Sequence, residues 1–159
     1  MSGCREMLLR YAWFIPVVWA INNGYRSRKE IAESLGVSRK LVSSILYYMR
    51  RTRLISQNGV LDASCNSIEI WRKGRWFSCI IGRMVVVVHL KKKKVTYYTI
   101  PVEALRMVAE TGSCAEKRLC NRINKALVIL GRKGFKDVGT PSKGTGSERH
   151  GHLPSGLMV

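Results

Sequence analysis

The chain has 159 residues, enough for one ordinary domain or two very small ones. Its composition, 46% hydrophobic and 24% charged, is that of a globular protein and excludes a disordered or fibrous class. With 28 Lys and Arg against 10 Asp and Glu the formal charge is +18, and self-repulsion of that size points to a polyanionic partner, nucleic acid ahead of an anionic membrane surface.

The excess is not confined to a tail: residues 1–60 carry 10 basic and 3 acidic side chains, and residues 61–100 carry 8 and 2. No apolar run approaches the roughly 20 residues that span a bilayer. The longest, Tyr11 to Ile21, contains Pro16 and leads into Asn22-Asn23-Gly24, a helix stop rather than a cleavage site. These features predict an intracellular, cytoplasmic chain that starts at Met1, with no signal peptide and no membrane span. Cys4, Cys65, Cys79, Cys114 and Cys120 form no C-x-x-C pair, and His89, His150 and His152 lie away from them. The cysteines are therefore expected as reduced thiols packed as small hydrophobes, without a metal.

In chain order, Met7 to Ile15 fits a helix buried in a core, with Pro16 kinking it or starting a second helix. Ser27 with Glu30 makes a capping box for a helix that Gly36 stops. Ser38 caps the next helix, to about Thr52, with Leu41, Val42, Ile45, Leu46 and Met49 on its apolar face. Ser67–Trp71 and Trp76–Ile81 read as strands joined by the basic turn Arg72-Lys73-Gly74-Arg75. Met84–Leu90, with four consecutive valines, reads as a strand buried on both faces. Lys91–Lys94 is its exposed turn and Val95–Ile100 its partner strand. Pro101 opens a helix through Glu110, and a second capping box, Ser113 with Glu116, opens another to about Leu130, which Gly131 and Gly134 end. The glycines and prolines of 139–159 predict a flexible tail.

The segment from Ser27 to Ile55 carries the functional signal. Ile31-Ala32, then Leu35-Gly36-Val37-Ser38, then Val42, Ile45 and Met49, followed by Leu54-Ile55, resembles the helix-turn-helix of winged-helix transcription regulators. The spacing has physical reasons. Ala32 lets a crossing helix approach, Gly36 takes the tight turn, and Ser38 caps a helix whose N-terminus must meet DNA. No acidic residue lies between Val37 and Leu61. One departure is Leu41, which stands where the family commonly has a polar residue and cannot hydrogen-bond a base edge. A second is the stretch Ser56–Asp62, which is not basic.

The resemblance implies an α+β fold: a winged helix-turn-helix domain over residues 1–81, a β-hairpin and two-helix extension over 82–138, and the tail. It implies sequence-specific binding of double-stranded DNA by a transcription regulator, the helix from Ser38 entering the major groove. Ser38, Arg39, Lys40, Ser43, Ser44, Tyr47 and Arg50 are the expected contacts on that helix. Arg72, Lys73 and Arg75 are the expected wing tip on the phosphates. Trp71 and Trp76 flank that tip and are expected to pair across the hairpin. Lys91–Lys94 is a second phosphate candidate, and Arg118, Arg122 and Lys125 share one helix face as either a solvated surface or a second DNA-contacting or homodimer-forming unit. No phosphate loop, H-E-x-x-H or paired-acid motif is present, so neither enzyme activity nor a cofactor is expected. The alternative class is a sequence-indifferent DNA- or RNA-packaging basic protein.

Overall fold

The structure is a computed structural model of the chain and describes residues 3–55, 63–114 and 116–139. The expected tail, from residue 140 onward, and the stretch 56–62 lie outside the described residues. The architecture is α+β: helices cover both faces of one four-stranded antiparallel sheet.

The N-terminal apolar segment forms two helices, α1 (Gly3–Arg10) and α2 (Phe14–Asn22). Pro16 falls in the first turn of α2, where backbone N–H groups lack intrahelical acceptors and a proline costs little. In α3 (Arg28–Leu35), Ser27 accepts from the Glu30 N–H while the Glu30 carboxylate accepts from the Arg26 and Ser27 N–H groups, so the capping box is realised. Those two backbone donors hold the Glu30 carboxyl below its usual range. Gly36 ends α3 in the left-handed conformation, φ +71°. Two residues later the Ser38 hydroxyl accepts from the Leu41 N–H and opens α4 (Arg39–Arg51).

A short helix, α5 (Ala63–Asn66), precedes β1 (Ile70–Lys73), β2 (Trp76–Ile81), β3 (Met84–Leu90) and β4 (Val95–Pro101). The order in the sheet is the order in the chain. The expected boundary between residues 81 and 82 therefore falls inside this sheet, where β2 and β3 pair from Ile81↔Met84 to Trp76↔His89. The valines of β3 explain the layering. Val86 and Val88 enter a core shared with α1–α4; Val85 and Val87 enter a second core with α6 (Val102–Thr111) and α7 (Lys117–Gly139). A side chain on every second residue fills each face, so four valines in a row are all buried.

Three expectations are corrected. The first strand begins at Ile70 rather than Ser67. The Ser113 hydroxyl bonds the Thr111 side chain instead of capping, and α7 begins at Lys117. Gly131 (φ +70°), by contrast, leaves helical geometry where the helix was expected to end, and a second helical stretch follows it to Gly139. The cysteines are mostly not thiols: Cys4 bridges Cys65, tying α1 to α5, and Cys114 bridges Cys120, with Cα separations of 5.5 and 5.7 Å. Cys79 alone among the described cysteines is free, and burial pushes its thiol up to about 12. Sequence spacing could not give the first bridge, because its partners are 61 residues apart.

Candidate nucleic-acid interface

Helix α4 packs against α3 and α2 through Val42, Ile45, Leu46 and Met49, all buried together with Ile31, Ala32 and Leu35 of α3. Each such side chain contributes about 1.5–3 kcal/mol on burial, which fixes the helix's rotation about its axis. The opposite face is thereby presented outward. Arg39, Lys40, Ser44, Tyr47 and Arg50 are exposed, as is Ser38 at the cap.

Not all of these side chains are unengaged. Ser43 is half-buried and its hydroxyl accepts from Arg28 Nη1 at 2.9 Å, which ties α4 to the start of α3. The Tyr47 hydroxyl accepts from Arg51 Nη1 at 3.0 Å, and the Arg51 guanidinium lies over the Tyr47 ring. Arg39, Lys40 and Arg50 take part in no ion pair among the described residues, where the pair Arg106–Glu103 on α6 stands alone. Leu41 is half-buried against the first core, so it packs inward.

The turn between β1 and β2 is placed differently from its expected role. Arg72 Nη1 donates to the Ser34 carbonyl at 2.9 Å and its Nε to the Gly74 carbonyl at 2.8 Å. Its guanidinium lies 4.6 Å from the Trp19 ring centre and 5.1 Å from that of Phe77. Partial burial and the neighbouring Arg75 lower its pKa, although an arginine stays charged. Arg75 donates through Nε to the Leu90 carbonyl and through Nη1 to the Leu35 carbonyl. Ser34 and Leu35 end α3, where carbonyls lack intrahelical donors and the helix dipole favours a cation. These two arginines thus fasten the first hairpin to the end of α3, each committing two guanidinium N–H groups to backbone carbonyls. Lys73 is exposed but lines a cleft with Trp76 and Lys125, on the α7 side of the sheet. Trp71 and Trp76 are not cross-strand partners, since Trp71 pairs with Ser78; Trp76 instead stacks on His89, ring centres 4.1 Å apart.

The Lys91–Lys94 turn is fully presented, all four lysines being exposed. Val95, the next residue, lines a groove with Leu41 and Ser44 of α4, so this turn leaves the sheet beside the N-terminal half of that helix. On α7, Lys125 lies over Trp76 and Arg122 over Tyr98, whose hydroxyl donates to the Arg122 carbonyl. These two cations lie over sheet aromatics, while Arg118 is exposed. His89 has its pKa lowered by burial and by the nearby Lys91, Lys125 and Arg75.

Sequence reasoning missed Arg10, Tyr11, Tyr48 and Tyr97, which converge beside α4 from three separate elements. The signal available was the alternation of β4, which sends Val95 and Tyr97 to one face. Among the described residues no group of three or more His, Cys, Asp or Glu could hold a metal ion, and no helix is long and apolar enough to cross a membrane. Comparison of the chain with family profiles, with curated proteins and with solved structures gave no match.

Proposed function

We propose that the chain is a duplex-DNA-binding protein, a winged helix-turn-helix transcription regulator whose reading helix is α4. The observation that carries this is the combination on α4 of a buried apolar stripe and an exposed face bearing Arg39, Lys40, Ser44 and Arg50, with no carboxylate on the helix. A capped N-terminus adds oriented N–H groups and a positive dipole end, which favour phosphate. The Lys91–Lys94 turn serves as the wing, because it stands beside α4 with four exposed ammonium groups that form no ion pair among the described residues, whereas Arg72 and Arg75 bond α3.

The test is a salt titration on a duplex selected from a random pool and on a scrambled duplex. If about 5–8 phosphates are neutralised, the log–log slope is roughly −4 to −7. A specific regulator binds the selected duplex at least about 10³-fold more tightly. Equal affinity for both duplexes assigns the protein to sequence-indifferent packaging. A slope near zero, or tighter binding to single-stranded RNA, overturns DNA binding.

A further inference from the structure

Between the α1–α2 junction, the side of α4 and the start of β4 runs a groove of about 520 Å³. That volume suits a small molecule, since ligand sites span roughly 300–1,000 Å³ and are mostly apolar with a few polar groups. Its walls are aromatic and aliphatic: Tyr11, Trp13, Leu41, Tyr48, Val95 and Tyr97. The fold does not use all of this area. Tyr11, Tyr48 and Tyr97 remain 43%, 59% and 54% exposed. The polar lining groups are Arg10 and Ser44. Arg10 ends α1 and takes part in no ion pair among the described residues.

We infer that the groove binds a small anion with an apolar body, an aromatic or medium-chain aliphatic carboxylate. The carboxylate pairs with the Arg10 guanidinium, whose planar fork matches it, and the apolar body lies along Leu41, Tyr48 and Tyr97. Three observations select this occupant. Arg10, the one cation among the described lining residues, takes part in no ion pair among the described residues, so an anion gains a charge-assisted hydrogen bond there without displacing one of those. Apart from Arg10 and Ser44 the lining is apolar or tyrosyl, which a bare inorganic ion would leave uncovered. A second copy of the chain is disfavoured because it carries the same +18 charge, with the same four lysines directly preceding Val95 of the groove.

The site also gives the ligand a consequence, which rests on the proposed DNA-binding role of α4. Ser44 lines the groove and belongs to the exposed face of α4, and Val95 joins the groove to the Lys91–Lys94 turn. A bound carboxylate places negative charge and bulk between reading helix and wing, so it weakens duplex binding, and the duplex weakens the ligand by the same factor.

The experiment titrates the full chain with decanoate, with 1-naphthoate and with decanol, following heat by calorimetry. Wild type, Arg10→Gln and Tyr97→Ala are compared, with melting curves to show that each folds. The expected result is one carboxylate bound per chain. Arg10→Gln weakens the carboxylates by about ten-fold, the loss of one charge-assisted bond, and leaves decanol unchanged. Tyr97→Ala weakens all three. Saturating decanoate lowers duplex affinity in wild type and much less in Arg10→Gln. If neither carboxylate binds, or if Arg10→Gln binds them as wild type does, the site assignment is overturned. A dimer in sedimentation that Tyr97→Ala dissociates gives the groove to a second copy and also overturns it. Carboxylate binding without duplex binding leaves the groove standing and removes the DNA reading; duplex binding without carboxylate binding does the reverse.

Discussion

Arg39 and Arg75 flank the same turn in space and have opposite surroundings. Arg39 sits at the first position of α4, exposed and without an ion pair among the described residues. If it reads a base edge, Arg39→Ala weakens the selected duplex by about 1–3 kcal/mol and flattens preference at one or two positions. Binding assays on a panel of single-base variants check this; an equal loss on every duplex makes Arg39 a phosphate contact. Arg75 donates to Leu35 and Leu90 carbonyls and so belongs to the fold. Gly36 is pressed by it: a Cβ there would lie 3.0 Å from Arg75 Nη1, at a φ of +71° that disfavours any side chain. Gly36→Ala is expected to cost about 1–2 kcal/mol from the backbone alone. Denaturant unfolding measures it, and a neutral result would mean that the turn relaxes out of the left-handed conformation. The sequence distinguishes these arginines poorly. Both stand next to turn residues, and what separates them is the α3 carbonyls lying 38 and 40 residues before Arg72 and Arg75 in the chain. Local patterns report charge and spacing, not which distant carbonyl is waiting.

Helices α3 and α4 were legible because their signals are local, whereas the expected helix over Met7–Ile15 is interrupted at Tyr11–Trp13, between α1 and α2. Ser27 with Glu30, Gly36 and Ser38 set the limits of α3 and α4 through hydrogen bonds made within four residues. Strand limits within β2, β3 and β4 were legible for a similar reason, apolar runs bounded by glycines and lysines. What the sequence does not carry is which hairpin faces α4, because that depends on the two-sided packing of β3. The prediction at this scale separates the two turns. Replacing Lys91–Lys94 by glutamine should lower the salt slope of duplex binding by about 2–4, near one unit per lost phosphate contact, with sequence preference retained. Replacing Arg72 and Arg75 by glutamine should instead lower stability, since the α3 carbonyls lose charged donors, with little change in slope. The reverse pattern would return the wing to the first hairpin.

Two disulfides act on the whole molecule to different degrees. The Cys4–Cys65 bridge closes a 61-residue loop that contains α2, α3 and α4, so it ties the beginning of the helical unit to the threshold of the sheet. The Cys114–Cys120 bridge spans six residues at the start of α7. Restricting the unfolded chain is worth about 4 kcal/mol for the long loop and about 2 kcal/mol for the short one. For a chain of this length each kcal/mol moves the melting temperature by roughly 2–4 °C. The double variant Cys4→Ala with Cys65→Ala should therefore melt roughly 8–16 °C lower, while Cys114→Ala with Cys120→Ala should fall by about half as much. Calorimetric melts of both variants, with and without a reductant, make the comparison; reductant should bring wild type below either variant and leave the doubly substituted pairs sensitive only through the remaining bridge. Bridged cysteines are ordinarily found in oxidising compartments or in the intracellular proteins of hyperthermophiles. If reductant leaves the wild-type melt unchanged, the cysteines are thiols in solution, as their sequence spacing alone had suggested, and the helical unit is held to the sheet by the apolar core that Phe77, Val86 and Val88 share with α2 and α4.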